Sequence, residues 1–201
     1  MKNRGLATVL ALLAGAASAE DEFTLYELLA PESHRFAITY DVTTAAPGAR
    51  FFFNPVREGS VSTDERVIER GRGRELKWEV VKGREAKATG LVRPAAPDES
   101  LYIKVYLPAP VPAGGATRLR IFKTYLDPKS YYSEGDTIVF DRGLGIRRNA
   151  VVLPAGYELV GCAVPAIVST EPDGRVKVSF VNDRDDSLPV RLVGRRSRIS
   201  K

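Results

Sequence analysis

The chain has 201 residues, one histidine, one cysteine and a formal net charge of +5 at pH 7. A single cysteine excludes an internal disulfide. One histidine and one cysteine together also exclude an HExxH site and a zinc centre with three His or Cys ligands. The small positive excess is spread through a well-mixed sequence, so we do not expect a nucleic acid partner.

The N-terminus has the three features of a cleavable export signal. Lys2 and Arg4 precede an uncharged apolar run of about nine residues, and the small residues 17–19 then form a peptidase site. The run is too short to remain as a membrane anchor, which needs roughly twenty residues. We therefore expect residues 1–19 to be a signal peptide. The mature protein is expected to be soluble, without a membrane span, and either periplasmic or secreted.

Short segments with a period of two dominate the rest of the chain, and this period is typical of half-buried strands. The clearest are residues 36–42, 101–107, 118–122 and 175–180. Weaker candidates are residues 50–53, 66–69, 76–81, 137–141, 150–153 and 189–193. No segment after the signal has a convincing helical pattern; the best is residues 23–29, which is short and ends before Pro31.

About ten short strands separated by turn signals predict an all-β fold, an antiparallel β-sandwich, with a β-barrel-like arrangement as the alternative. We expect residues 20–193 to form this single domain. Residues 194–201 are rich in basic side chains and are expected to be a flexible tail.

Tyrosines mark two candidate partner-binding regions. Tyr102 and Tyr106 share one face of a predicted strand, opposite the apolar residues of that strand. Residues 127–136 form the longest polar break between strands, and we expect a loop there that carries Lys129, Tyr131 and Tyr132. Exposed tyrosines stack on sugar rings or anchor protein interfaces, so these five residues are the candidate partner site.

Other reactive residues give weaker indications. Cys162 lies in an apolar run and is expected to be a buried, inert thiol. The only histidine, His34, is expected at the start of a strand rather than in a catalytic site. Asp183, Asp185 and Asp186 offer oxygen ligands and are weak calcium candidates, although a solvated β-turn is the simpler explanation of these residues. No other cofactor is indicated.

These observations favour a non-catalytic β-sandwich that binds an envelope protein or a glycan. The alternative is a secreted hydrolase that uses a pair of carboxylates, such as a glycosidase, because the sequence has 25 acidic residues and sequence spacing does not reveal their separation in space. The identity of the partner and the oligomeric state do not follow from the sequence.

Overall fold

The computed structural model describes residues 22–197. Strands make up 54% of the structure and helix 5%, which confirms the all-β class. The strands form an eight-stranded, a four-stranded and a three-stranded sheet, which do not close into a barrel. The predicted signal peptide, residues 1–19, lies outside the described residues. Within them, no helix is long and apolar enough to cross a membrane.

Besides a three-residue 3-10 helix (Pro31–Ser33), fifteen strands and one short α-helix follow one another along the described chain. They are β1 (Phe23–Leu28), β2 (Arg35–Thr44), β3 (Phe51–Pro55), β4 (Val61–Glu69), β5 (Arg74–Glu75), β6 (Trp78–Lys82), α1 (Gly83–Ala88), β7 (Leu101–Tyr106), β8 (Thr117–Leu126), β9 (Tyr131–Glu134), β10 (Thr137–Leu144), β11 (Arg148–Val152), β12 (Tyr157–Cys162), β13 (Ile167–Thr170), β14 (Val176–Val181) and β15 (Leu188–Arg196). The four clearest predicted strands are confirmed as β2, β7, β8 and β14.

Almost every pair of neighbouring strands is antiparallel. The eight-stranded sheet has the order β13-β14-β11-β1-β2-β8-β4-β5, and only the β1–β11 pair is parallel. The four-stranded sheet has the order β12-β15-β10-β9, and the three-stranded sheet has the order β3-β7-β6. This arrangement is consistent with the predicted antiparallel sandwich.

Aromatic side chains join the two larger sheets. The Phe140 ring of β10 lies 5.6 Å from the rings of both Tyr26 and Phe36, which belong to the eight-stranded sheet. Ile103 and Val105 of β7 are fully buried in the same core. The three-stranded sheet therefore also contributes one face to the main core. The predicted inward positions are confirmed for Ile103 and Val105, whereas Leu101, also predicted to face inward, is exposed.

The segment with the best helical pattern is a strand. Residues 23–28 form β1, which pairs with β2 on one side and with β11 on the other. Thr24, Tyr26 and Leu28 are buried at alternate positions, whereas their neighbours are half-buried. Six residues are too few for a stable isolated helix, and two flanking strands satisfy their backbone groups instead.

The prediction of a loop at residues 127–136 is also wrong, because this segment contains strand β9. Tyr131–Glu134 pairs with β10 through a two-residue connection, where Gly135 adopts a φ of 62°. A left-handed backbone favours glycine at this position. The polar composition therefore reflects the exposed edge of a hairpin rather than a long loop.

The flexible tail was predicted to begin at residue 194, but the last strand extends beyond this position. Strand β15 continues to Arg196, with Arg195 opposite Thr137 of β10 and Arg196 opposite Tyr157 of β12. Pairing on both sides orders these basic residues despite their charge. Residues 198–201 lie outside the described part of the chain.

Candidate functional site

Tyr102 and Tyr106 lie on one face of β7, as predicted, but Tyr102 is buried. It packs with Val81 and with Ala86 of α1 in a small second cluster. Its ring also makes an edge contact with Phe53, at 6.3 Å between ring centroids. Helix α1 thus covers this half of the face, and Tyr102 is not available to a partner.

Tyr106 is half-buried and engaged by charged neighbours. Its hydroxyl donates to Glu79 Oε1 at 2.6 Å, and Lys104 Nζ donates to the same oxygen at 2.8 Å. The hydrogen bonds from Lys104 and then from Tyr106 lower the pKa of Glu79. The ammonium groups of Lys104 and Lys77 lie 4.9 and 5.0 Å from the centre of the Tyr106 ring. Cations therefore occupy the ring surface on which a sugar would stack.

The other predicted binding residues lie on a different sheet. Tyr131 is fully buried, and its hydroxyl donates to the carbonyl oxygen of Leu29 at 2.8 Å. Tyr132 is half-buried and Lys129 is exposed. Because β9 belongs to the four-stranded sheet and β7 to the three-stranded sheet, the five predicted residues do not form one continuous strand surface.

His34 lies immediately before β2, in agreement with its expected place at a strand start. It adopts a φ of 52°, and its Nδ1 is 3.1 Å from the carbonyl oxygen of Tyr131. The hydroxyl of the adjacent Ser33 donates to the carbonyl of Ala30. The contact of His34 with Tyr131 ties the turn before β2 to β9.

The predicted calcium ligands are not gathered around a common point. Arg184 donates to both carboxylate oxygens of Asp186, at 2.6 and 3.1 Å. The Asn182 amide donates to the carbonyl oxygens of Leu144 and Asp186, which fixes the turn between β14 and β15. Among residues 22–197 no group of three His, Cys, Asp or Glu side chains is placed to hold a metal ion. A solvated β-turn, the alternative to a calcium site, therefore explains these residues.

Cys162 is exposed, so the prediction of a buried thiol is wrong. It ends β12, the outer strand of the four-stranded sheet, where side chains alternate between half-buried and exposed. The register of β12 against β15 also shifts between Leu159 and Gly161. Because β12 is an edge strand, an apolar sequence there does not imply burial. The Cys162 thiol lies 3.0 Å from the carbonyl oxygen of Val164.

The most unusual surface is the outer edge of the eight-stranded sheet. Its last strand, β13, pairs only with β14, and all four of its residues are exposed. Ile167 and Val168 are 71% and 56% exposed. Val181 of β14 is also exposed, two residues beyond Ser179, the partner of Ile167. We call these three residues and the free side of β13 the β13 edge.

An edge of this composition is open to a further strand. The outer strand of a sheet presents unpaired N–H and C=O groups, and natural proteins protect such edges with charged residues, bulges or proline. Within β13 there is no charged residue and no proline, although Pro165 and Pro172 flank it at a short distance. A partner at this edge would form hydrogen bonds with the main chain of β13 and contact its apolar side chains.

The β13 edge was not predicted from the sequence, although the residue types of this segment indicate a strand. Ile167, Val168 and Thr170 are β-branched and lie between two prolines. β-Branched residues favour a pleated conformation, so a strand was predictable here. Its exposure was not, because the position of a strand within its sheet depends on pairings distant in sequence.

Comparisons with known proteins show similarity in fold alone. No family profile and no curated protein sequence matches the chain. The M1 zinc metallopeptidase of Deinococcus radiodurans matches with a TM-score of 0.51 at 14% identity, over 87% of this chain and 41% of that chain. A substrate-bound form of that peptidase gives a TM-score of 0.50 over the same shares. An aminopeptidase N family protein of Idiomarina loihiensis has a TM-score of 0.46 at 9% identity, over 86% of this chain and 29% of that chain.

The chain therefore spans about two fifths of the length of the Deinococcus peptidase structures that it resembles. At this identity the likeness establishes a shared strand architecture. With one histidine among 201 residues, the HExxH pattern of two zinc-binding histidines does not occur in this sequence.

Proposed function

We propose that this chain is an exported, non-catalytic domain that binds a protein of the cell envelope through the β13 edge. The observation that carries the proposal is the exposure of Ile167 and Val168 on an outer strand without a charged residue. An extended segment of the partner adds a strand beside β13, with backbone hydrogen bonds for affinity and apolar side-chain contacts for specificity.

The chemistry of the edge favours a protein over a glycan. Sugar binding relies on aromatic stacking and polar groups, whereas Ile167, Val168 and Val181 are aliphatic. The aromatic surface at Tyr106 is engaged by Lys104 and Lys77. A glycan at Tyr106 is the competing occupant, and the experiment below separates the two.

The fold comparison is compatible with a domain that works in contact with other protein segments. In the Deinococcus peptidase the matched architecture is 41% of a longer chain, so this arrangement of sheets occurs there with further protein in the same molecule. Because this sequence contains no HExxH pattern, we assign it a binding role and no peptidase chemistry of its own.

The export part of the proposal rests on the sequence. Positive Lys2 and Arg4, the short apolar run and the small residues 17–19 have the order of a signal peptide. N-terminal sequencing of the protein recovered outside the cytoplasm should give Glu20 as the first residue. Recovery of a chain that begins at Met1 would contradict cleavage.

A carboxylate-based hydrolase has less support. Such an enzyme needs a general acid with a raised pKa and a second carboxylate near it. Glu22 has its pKa raised by burial, while its hydrogen bond with Tyr40 opposes this shift. Asp183 and Asp185 line a shallow cavity with Glu22, but Arg147 and Arg184 line the same cavity. The cavity therefore holds two guanidinium groups as well as carboxylates, rather than an isolated pair of carboxylates.

The test combines crosslinking with a matched pair of variants. A photo-crosslinking residue at position 168 should capture a defined envelope protein, which is then purified and titrated against the mature chain. The double variant Ile167→Lys with Val168→Lys should weaken that binding at least tenfold, because charges block strand addition. Val160→Lys, on the exposed edge strand β12, is the control and should leave affinity unchanged.

Three results would overturn this assignment. Unchanged affinity in the double lysine variant removes the β13 edge from the interface. Glycan binding that is lost in Tyr106→Ala but kept in the lysine variant assigns the site to the three-stranded sheet. A wild-type homodimer that the lysine variant converts to monomer, measured by sedimentation, makes a second copy the occupant.

A further inference from the structure

A cavity of about 300 Å³ lies between the sheets, away from β13. Side chains from the inner faces of β1, β2 and β8 form one wall, and the ends of β3 and β10 form the other. Its main polar lining residues are Tyr40, Asn54, Arg57, Lys123, Tyr125 and Arg142. No aspartate or glutamate lines it. The cavity is therefore positively charged, and its volume is at the lower end of the range for small-molecule sites.

Lys123 is the central polar group of the cavity and is only 6% exposed. Its Nζ donates to Asn54 Oδ1 at 2.6 Å and to the Tyr125 hydroxyl at 3.0 Å. Both acceptors are neutral, and within residues 22–197 no carboxylate forms an ion pair with this ammonium. Burial, followed by the charge of Arg142, lowers the pKa of Lys123 to about 7. A third donor position of the ammonium remains for a ligand.

Two arginines also line the cavity. The Arg142 guanidinium lies 5.4 Å from the centre of the Tyr125 ring and donates to Asp127 Oδ2 at 3.0 Å. Asp127 is the counter-charge of Arg142, so the positive charge left for a ligand is that of Lys123 and Arg57. Arg57 is exposed at the cavity surface, and its backbone N–H donates to the Tyr125 hydroxyl at 3.2 Å.

We propose that this cavity binds a small anion, with a carboxylate or phosphate head group held by Lys123 and Arg57. A buried ammonium without a directly bonded carboxylate is destabilising, and an anionic oxygen supplies such a partner. The Tyr125 hydroxyl accepts from Lys123 and from the Arg57 backbone, so its own proton is available to such a head group. The site does not involve the β13 edge, so this proposal stands or falls independently of the partner-binding function.

The first experiment titrates the mature protein with sodium phosphate and, separately, with sodium succinate at pH 6.5. Sodium chloride keeps the ionic strength constant, so that general screening does not imitate binding. We expect saturable heat in calorimetry and a concentration-dependent rise in Tm. Binding of succinate alone assigns an organic acid, and binding of phosphate alone assigns a phosphate group. Absence of binding by both anions would overturn the proposal.

Three variants locate the anion. Lys123→Met removes the buried charge at similar length and should weaken binding at least tenfold. Arg57→Gln, at an exposed position, should weaken it several-fold without affecting the fold. Lys104→Met is the control, because Lys104 lies on the outer face of the three-stranded sheet. Unchanged affinity in Arg57→Gln and Lys123→Met, or an equal loss in Lys104→Met, would contradict the assignment.

A measurement on the unmodified protein covers the case in which Lys123→Met does not fold. The Lys123 amine is titrated by NMR with and without a saturating anion. A bound anion stabilises the charged amine, so the pKa of Lys123 should rise. The same pKa in both titrations would place the anion elsewhere.

Discussion

Arg142 Nη1 donates to Asp127 Oδ2 at 3.0 Å, and both side chains are almost fully buried. Asp127 also accepts hydrogen bonds from Ser60 and Ser130. This cluster links β10 to the turn before β9. It therefore holds in place the hairpin that the sequence predicted to be a loop.

Loss of the Asp127 carboxylate should strongly destabilise the protein. Asp127→Asn leaves the buried guanidinium of Arg142 without its counter-charge, which typically costs about 3–5 kcal/mol. Asp173→Asn is the matched control, because Asp173 pairs with Arg175 in an exposed turn. Exposed pairs contribute about 1 kcal/mol or less. Urea titrations of the two variants measure the difference, and equal losses would contradict a structural role for the buried pair.

Asp127 should also contribute to acid sensitivity. Burial opposes its ionisation, but hydrogen bonds from Ser130 and Ser60 and the charge of Arg142 outweigh burial and lower its pKa. A lowered carboxyl pKa stabilises the fold above the unfolded value of about 4, and this stabilisation is lost as pH falls through the folded pKa. Stability measured from pH 5 to pH 2 should therefore fall less steeply in Asp127→Asn than in the wild type.

Lys123 should make stability depend on pH with the same sign as Asp127 does, but in a higher pH range. Its pKa is about 7 in the folded protein, against about 10.4 in an unfolded chain. Between these values the unfolded state binds the additional proton, so stability rises with pH, by at most about 1.4 kcal/mol per pH unit. The charged and titratable groups around Lys123 are Arg142, Glu65 and Tyr125.

Urea titrations from pH 7 to pH 9 measure this contribution before tyrosines ionise. The unfolding free energy of the wild type should rise relative to that of Lys123→Met as pH rises, because the buried wild-type amine becomes neutral. A difference that stays constant over this range would show that Lys123 keeps an ordinary pKa.

The neighbouring tyrosines of β9 should differ in their contributions to stability. Tyr131 is fully buried and donates to the carbonyl of Leu29, so Tyr131→Ala should cost about 3–5 kcal/mol. Tyr132 is half-buried, and Tyr132→Ala should cost about 1 kcal/mol or less. Thermal and urea unfolding of the two single variants decide the matter. Similar losses would mean that β9 is not fixed with one face in the core.

The exposed Cys162 should react with a thiol reagent in the native protein. Labelling with an aromatic disulfide reagent should reach one thiol per chain at a rate close to that of the urea-unfolded protein. Cys162→Ser should change stability by about 0.5 kcal/mol or less, as is usual for surface substitutions. Labelling that requires unfolding would restore the interpretation of a buried thiol.

The sequence identified the strands whose two faces differ in polarity. Residues 36–42 and 101–107 alternate because one face packs on the core, and Ile103 and Val105 are fully buried as expected. Alternating polarity is absent from β1, where the half-buried Phe23 and Leu25 are apolar like the buried Tyr26 and Leu28, and from β13, which is exposed on both faces. Residues 23–28 lie within the sheet between β2 and β11, and β13 is exposed along its length.

The sequence alone determined the all-β class and excluded an internal disulfide and a zinc centre with three His or Cys ligands, because period-two patterning and residue inventory are read directly from the chain. Only the tertiary structure decided which side chains meet. It buried Tyr131, exposed Cys162 and brought Lys123 of β8 to the same cavity as Arg142 of β10. These outcomes depend on which strands pair and on which strand lies at an edge. Pairing joins residues far apart in the chain, whereas a local pattern records only the polarity of each strand's two faces.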